Sequence, residues 1–389
     1  MKVFKVSLIA LILAGILTAY SQTGGYDQDV LQRNLDAIRN RGAVGVQAMV
    51  TLDGQTFVGT SGVADIHSRQ PVPENGYYRI ASTTKTFVAT IILQLVGENR
   101  LSLDDTVEEH LPRVVRGSNN NGTLITIRDL LRHTSGIFDY NQDEGWNPFN
   151  ALETFEERRF VRYDPEELVA VAMRHPPRFK PGTAWSYSNT NYVLAGMIVE
   201  AVTGNTWAEE VRARIIEPLG LKQTIVGEDS QMPEPHARGY YQFPEGGPLI
   251  DATLLDPSAG GAGGAIISTP KDVTRFFSAL LSGQLLTPEL LSEMQDTVPE
   301  EDGRYGLGLA WSPLSCGSGY WRHGGAIPGY LSYEGFTEDG SRSVVLSVSS
   351  WRANEIANIA QDRASLDLIE NALCANRDSD QIDSSTLLK

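Results

Sequence analysis

The sequence predicts an α/β (α+β) protein: one antiparallel sheet assembled from both ends of the chain, helices on its faces, and a mainly helical insertion between the two halves. Three observations carry this. Apolar and polar residues alternate through Val44 to Leu52 and Gln55 to Val63, on either side of an Asp53-Gly54 turn. Alternation returns late, at Gly306 to Trp311, Tyr320 to Arg322, Tyr330 to Phe336 and Ser343 to Ser349, with Asp339-Gly340 as a second hairpin turn. From Arg100 to about Thr253 the strand signals fade, and segments of helical spacing are separated by Pro- and Gly-rich turns. Each strand-rich end alone leaves a sheet face bare, and joining them in one sheet lets helices cover both faces.

Taken in order, Asp27 to Asn40 places Leu31, Leu35 and Ile38 on one stripe, an amphipathic helix ahead of the first hairpin. A second helix starts near Ser82, where Phe87, Ile91 and Leu95 recur within an apolar run reaching Val96. The insertion, about 100–253, offers helices at Thr126 to Arg132, Pro165 to Arg174, Tyr192 to Val202 and Thr206 to Ile216. Its Ser118-Asn119-Asn120-Asn121-Gly122 run marks an exposed loop. A last helix, Asn354 to Leu373, is expected to turn Ile356, Ile359, Leu366, Ile369 and Leu373 inward. The α/β part thus covers about 27–99 and 254–376, within a body of 22–376, and 377–389 is a polar tail.

With 389 residues, the chain is long enough for one large or two joined domains with a sizeable core. A net charge of −16 argues against nucleic acid or an anionic membrane surface as partner. Residues 1–21 read as a signal peptide: Lys2 and Lys5 precede an apolar core from Val6 to Leu17, and Ala19-Tyr20-Ser21 forms a small-x-small cleavage site. Export to the extracellular or periplasmic space follows, and no later stretch is long and apolar enough to span a membrane. The only cysteines are Cys316 and Cys374. In an exported protein the default for such a pair is one disulfide, contributing roughly 3 to 4 kcal/mol, the alternative being two buried thiols.

The chemistry centres on Ser82-Thr83-Thr84-Lys85. An S-x-x-K pair lies one turn apart on a helix face, so the lysine amine can reach the serine hydroxyl, and the helix N-terminus favours an oxyanion beside it. Serine is equally a good cap and lysine an ordinary helix residue. Ser268-Thr269-Pro270-Lys271 shows how little the pattern alone decides, since it reads as a helix start with Thr269 as N-cap. Further candidates stand elsewhere. Tyr187 and Asn189, in a polar turn before a helix, offer a proton shuttle and a substrate-holding amide, or else a packing residue and a cap. Arg322-His323-Gly324-Gly325-Ala326 places a histidine beside bare strand backbone that a ligand can approach. The run Gly260-Gly261-Ala262-Gly263-Gly264 lacks the spacing of a phosphate loop. There is no G-x-S-x-G elbow, H-E-x-x-H, clustered Cys/His set or P-loop, so neither a metal nor a nucleotide cofactor is expected.

S-x-x-K, then Tyr187-Ser188-Asn189, then His323-Gly324-Gly325 resembles the penicillin-recognising serine hydrolases in their class C β-lactamase-like form. The likeness is strongest to the secreted D-Ala-D-Ala carboxypeptidases of Streptomyces. It runs from about Asp27 to Cys374 and includes Leu-Leu-Arg-His133-Thr134-Ser135-Gly136, Tyr305-Gly306-Leu307-Gly308-Leu309 and the Leu-Ser-Cys316-Gly segment. The resemblance implies the β-lactamase/DD-peptidase fold, Ser82 as acylated nucleophile, and Lys85 and Tyr187 sharing general-base work as partly exposed groups. It further implies Asn189 on the substrate amide, with Gly324 and Gly325 beside it. His323 stands where relatives carry lysine, the backbone N–H groups of Ser82 and Ala326 form the oxyanion hole, and Cys316 is bonded to Cys374. The expected substrate is a small peptide ending in or containing D-amino acids, or a β-lactam, taken by a monomer. The leading activity is D-Ala-D-Ala carboxypeptidase or a related D-specific peptidase; an esterase, amidase, β-lactamase or silent penicillin-binding protein is the alternative. Two departures bear on this choice. Gly324 replaces a hydroxyl residue, and Ala310-Trp311-Ser312-Pro313 lacks the arginine that precedes Leu-Ser-Cys in relatives, so two partners of a substrate carboxylate are missing. Strand alternation is expected to turn Arg322 away from His323.

Overall fold

A computed structural model of the protein describes residues 26–375, apart from 228, 244–245, 301–302 and 353–354. The export segment and the polar tail expected from sequence lie outside the described residues. Helix α1 (Gln28–Asn40) starts where Asp27 accepts a hydrogen bond from the Val30 N–H, and it buries Leu31, Leu35 and Ile38. Strands β1 (Gly45–Leu52) and β2 (Gln55–Gly62) pair from Gly45↔Gly62 to Leu52↔Gln55. Their two-residue turn requires left-handed backbone, supplied by Asp53 (φ 52°) and Gly54 (φ 87°). Next comes a 3₁₀ turn, Ala81–Thr83, which runs directly into helix α2 (Thr84–Gly97).

The insertion contributes helices Ile127–Arg132 and Pro165–Ala172, then α3 (Asn189–Thr203), then Trp207–Val211 continued by a π turn. Helix α4 (Pro270–Leu281) begins at Thr269, whose side chain accepts from the Asp272 N–H, so the second S-x-x-K is a capped helix start. The chain then lays down β3 (Val298–Glu300), β4 (Gly303–Tyr305), β5 (Ala310–Pro313), β6 (Gly319–Arg322), β7 (Gly325–Ile327), β8 (Tyr330–Thr337) and β9 (Arg342–Val348). Helix α5 (Glu355–Leu373) closes it.

These nine strands form one antiparallel sheet ordered β3-β4-β5-β6-β8-β9-β1-β2, with β7 paired to β8 off this path. The two ends of the chain meet where β1 pairs β9, Val46 opposite Val348. Alternation along β9 sends Val344, Leu346 and Val348 to the face covered by α1 and α5, and Val345 to the face where Phe276 and Phe277 of α4 pack. The β-lactamase/DD-peptidase fold expected from the resemblance is the fold observed.

Several local expectations fail for physical reasons. In α5, Ile369 and Leu373 are buried, but Ile359 and Leu366 are 58% and 46% exposed, and the Ile356 side chain is outside the described set. The inward stripe is instead Gln361, Ser365, Leu368 and Ala372 with Ile369 and Leu373. Gly335 of β8 sets this choice: a Cβ there would stand 2.9 Å from Ile369 Cγ2 and 3.2 Å from a Leu373 methyl, so the helix seats against bare strand. Gly306 to Leu309 is not a strand. Gly308, at φ 70°, would place a Cβ 2.7 Å from that of Ala89, and the segment crosses tightly over α2. The unforeseen β3 carries Pro299, which the sheet tolerates because β3 is an edge.

Candidate active site

Ser82 lies in the 3₁₀ turn before α2, immediately after Ala81, whose φ of 47° is left-handed. Such backbone costs an L-residue about 1 to 2 kcal/mol, here offset by the burial of α2, the helix into which the turn runs. One turn on, Lys85 Nζ lies 3.1 Å from Ser82 Oγ, 2.8 Å from Asn189 Oδ1 and 2.6 Å from the Gly263 carbonyl oxygen. The glycine-rich run is thereby placed: it brings a backbone acceptor against the lysine. Contrary to the expected partial exposure, Lys85 is fully buried. Burial lowers its ammonium from 10.5 to about 7, with the Asp139 charge opposing the fall.

The acceptor set decides what a neutral Lys85 does. Two of its partners, an amide oxygen and a carbonyl oxygen, only accept, so they take both N–H groups of the free amine. Its lone pair is left facing Ser82 Oγ.

Tyr187 sits one residue ahead of the Ser188 cap of α3 and lines the cleft beside Ser82. Lys85 Nζ is 5.0 Å from its ring centroid. The enclosed hydroxyl end raises the phenol above its ordinary value, so Tyr187 is held protonated. Asn189 opens α3 instead of lying with Tyr187 in the polar turn before it, and both line the cleft. Its Nδ2 donates to Asp139 Oδ2 at 2.9 Å, which turns Oδ1 toward Lys85. Asp139 is 3% exposed, and burial raises its carboxyl. Sequence reasoning missed this residue; the only signal was one acid in Ile137-Phe138-Asp139-Tyr140, an otherwise apolar stretch just beyond the Ser135-Gly136 turn.

His133, the left-handed C-cap of helix Ile127–Arg132, lies beneath the Tyr187 ring with centroids 4.3 Å apart. Its Nδ1 accepts from the Ser188 N–H at 3.2 Å and from Asn191 Nδ2 at 3.1 Å, which fixes the turn presenting Tyr187. His323 is 4% exposed. Its Nδ1 donates to the Gly324 carbonyl at 2.7 Å, and its Nε2 accepts from the Tyr305 hydroxyl at 2.9 Å. Burial and the nearby Lys85 charge lower His323 to about 3, so the imidazole is neutral.

Strand β7 presses on the Ser82 turn. A Cβ at Gly325 would lie 2.3 Å from the Ile80 carbonyl oxygen and 2.8 Å from the Ser82 nitrogen, so only glycine permits this approach. Gly324 is looser, with the Ser332 carbonyl oxygen at 3.2 Å from such an atom. Ala326 is exposed on the cleft wall. Arg322 corrects an expectation. It lines the same cleft as His323, because β6 ends at Arg322 and alternation does not carry through the irregular His323-Gly324 pair. Its guanidinium is held by Glu300 at 2.8 Å and by Ser312 at 2.7 Å.

Two depressions meet at Ser82. A broad cleft of about 970 Å³ runs along Tyr187, His323 and Ala326 to Leu366 of α5. A narrower pocket of about 210 Å³ is walled by Tyr140, Phe149, Tyr241, Ile327 and Trp351. Away from the site, Cys316 and Cys374 are bonded, with Cα atoms 5.7 Å apart, tying the loop after β5 to the end of α5.

This fold, with serine, lysine, tyrosine and asparagine converging on one cleft, defines a serine hydrolase of the β-lactamase and penicillin-binding protein class. The chain belongs to the Beta-lactamase family, whose model matches residues 31–367. Among solved structures it is similar to a D-stereospecific amidohydrolase from Streptomyces sp., with 40% identity and a TM-score of 0.83 over 90% of this chain and 99% of that one. The D-amino acid amidase from Ochrobactrum anthropi SV3 is similar at 31% identity and TM-score 0.76, covering 88% of this chain and 99% of that one. Esterase EstB of Burkholderia gladioli is 30% identical over 279 residues, 66% of this chain and 70% of the relative.

Proposed function

We propose that this protein is an exported D-stereospecific amidohydrolase that cleaves amides and short peptides of D-amino acids through an acyl-enzyme on Ser82. Neutral Lys85 takes the proton as Ser82 Oγ attacks the scissile carbonyl. The oxyanion forms against the Ser82 and Ala326 N–H groups, each such donor commonly contributing a few kcal/mol. Lys85 returns that proton through the Tyr187 hydroxyl to the departing amine, the C–N bond breaks, and the lysine, neutral again, takes a proton from the water that attacks the acyl carbon and releases the acid and Ser82. The aromatic pocket takes an apolar side chain of the acyl half. Export is supported by the Cys316–Cys374 bond, which persists in oxidising compartments.

The observation that carries the amide reading over a strict carboxypeptidase is the state of the cleft wall. His323 is neutral, Gly324 has no hydroxyl, Lys85 is buried behind Ser82 as the free amine, and Arg322, the one arginine lining the cleft among the described residues, is already held by Glu300 and Ser312. A free carboxylate brought there would lose hydration without gaining a counter-charge. The names of the two structural neighbours point the same way. The test is ammonia release from D-phenylalanine amide beside D-alanine release from diacyl-L-Lys-D-Ala-D-Ala, free and C-terminally amidated. Cleavage of D-phenylalanine amide, and of the amidated peptide at least as fast as the free acid, is expected. Preference for the free acid would make the protein a carboxypeptidase.

A further inference from the structure

Strand β8 reads Tyr330-Leu331-Ser332-Tyr333-Glu334-Gly335-Phe336, and alternation sends Tyr330, Ser332, Glu334 and Phe336 to one face. Tyr330 and Phe336 join the core there, yet Glu334, 1% exposed, brings a carboxyl group into it. No lysine or arginine among the described residues forms an ion pair with it, so this acid does not serve as half of a buried salt bridge.

Its contacts lead instead to the Ser82 turn. Glu334 Oε1 accepts from the Thr83 hydroxyl at 3.0 Å. The Thr83 oxygen lies 3.3 Å from Ser332 Oγ, and Ser332 Oγ donates to the Ile80 carbonyl at 3.0 Å. Residues on both sides of Ser82 are thereby anchored to one strand. Ser332 is also the register partner of Gly325, so the same strand carries β7. The two walls of the gap where an oxyanion would form are thus referenced to a common support, and the contact of Gly325 with Ile80 and Ser82 holds only while that support keeps its spacing.

We propose that Glu334 is a positioning residue for acyl transfer: acting through Thr83 and Ser332, it holds the turn carrying Ser82 in register with β7. The inference rests on Ser82 being the nucleophile. Thr83 is fully buried, and without this acceptor its hydroxyl keeps only the longer 3.3 Å contact with Ser332 Oγ, one residue from the reacting oxygen. Burial also raises the Glu334 carboxyl well above its ordinary range, so the neutral acid is the working form and glutamine reproduces its shape and acceptor.

The experiment compares wild type, Glu334→Gln, Glu334→Leu and Thr83→Val by the rate of Ser82 labelling with a fluorescent phosphonate. It adds kcat and KM for D-phenylalanine p-nitroanilide, with near-ultraviolet circular dichroism reporting the folded fraction. Glu334→Leu is expected to slow labelling and kcat by about 10- to 100-fold with KM changed less than about threefold, since small misplacements at a reacting centre have effects of this size. Glu334→Gln should stay within about threefold of wild type. Thr83→Val should match Glu334→Leu and add little to it in the double variant. If Glu334→Leu does not fold, Thr83→Val, which keeps the side-chain shape, carries the same expectation. Wild-type rates in the folded Leu or Val variant overturn the proposal, as does a Gln variant as slow as Leu. A wild type that takes no label at Ser82 removes the nucleophile reading and this inference together.

Discussion

Lys85 governs the proton inventory of the site, because the histidines, the tyrosine and the oxygens nearest it are either held neutral or unable to accept its proton. His323 and His133 are held neutral by burial, Tyr187 is held protonated, and Asn189 and Gly263 present oxygens. A lysine lowered to about 7 is charged below that pH and a free amine above it. Activity requires the free amine, so kcat/KM should rise through a midpoint near pH 7. Asp139 tunes this value. Its carboxylate stabilises the ammonium, so Asp139→Asn removes an interaction that raises the lysine and should move the acid limb to lower pH. The maximum should fall roughly tenfold, because the Asn189 amide loses the acceptor that orients it. A pH–rate series on p-nitroanilide hydrolysis reads both effects, and an unmoved acid limb in Asp139→Asn would disprove the coupling. Ser82, Lys85, Tyr187 and Asn189 were legible in the sequence because their motifs are short and local. Asp139 and Glu334 were not, since each is defined by a partner 50 or more residues away.

Among the elements, β7 is the most exacting. It pairs with β8 on one side, while its glycine backs onto the turn that carries Ser82. Gly325→Ala would force apart backbone atoms at 2.3 and 2.8 Å, neither of which belongs to a flexible side chain. The Ser82 turn or β7 must therefore move by several tenths of an ångström. Loss of oxyanion-hole geometry commonly lowers kcat by about 10² to 10³. A fall of that order, with the fold retained by circular dichroism, is the expected outcome; unchanged kcat would show that β7 does not wall the reacting centre. Elements whose signal is local read well: Asp53-Gly54 dictates its hairpin, and Leu31, Leu35 and Ile38 dictate the buried face of α1. Elements placed by packing read poorly. In α5, leucine and isoleucine positions outvote Ser365 and Ala372, although small side chains are what a helix seating on Gly335 requires. Leu366 is apolar because it walls the cleft, not because it is core.

For the whole molecule, the site sits where the two ends of the chain meet the insertion: Ser82 and His323 come from the sheet body, Tyr187, Asn189 and His133 from the inserted helices. Both histidines are buried there as neutral rings, and that sets how the protein responds to acid. His133 lies well below the ordinary 6.5 and His323 at about 3, whereas the unfolded chain protonates both near 6.5. Above that pH neither state binds the proton and the pair has no effect. Below it the unfolded state binds first, so stability falls with pH at up to about 1.4 kcal/mol per unit for each ring, and continues to fall for His323 down to about 3. By pH 5 this amounts to roughly 2 kcal/mol for His323, and His133 acts in the same direction. Asp139 and Glu334 act in the opposite sense, because their raised values make the folded state take up protons first as pH falls. The histidine contribution is therefore isolated by difference. Tm of wild type should decline between pH 7 and pH 5, and His323→Gln, which keeps a neutral hydrogen-bonding side chain beside Tyr305, should decline less steeply. Parallel curves for the two proteins would mean that the imidazole is not held neutral and that the cleft wall carries a cation after all.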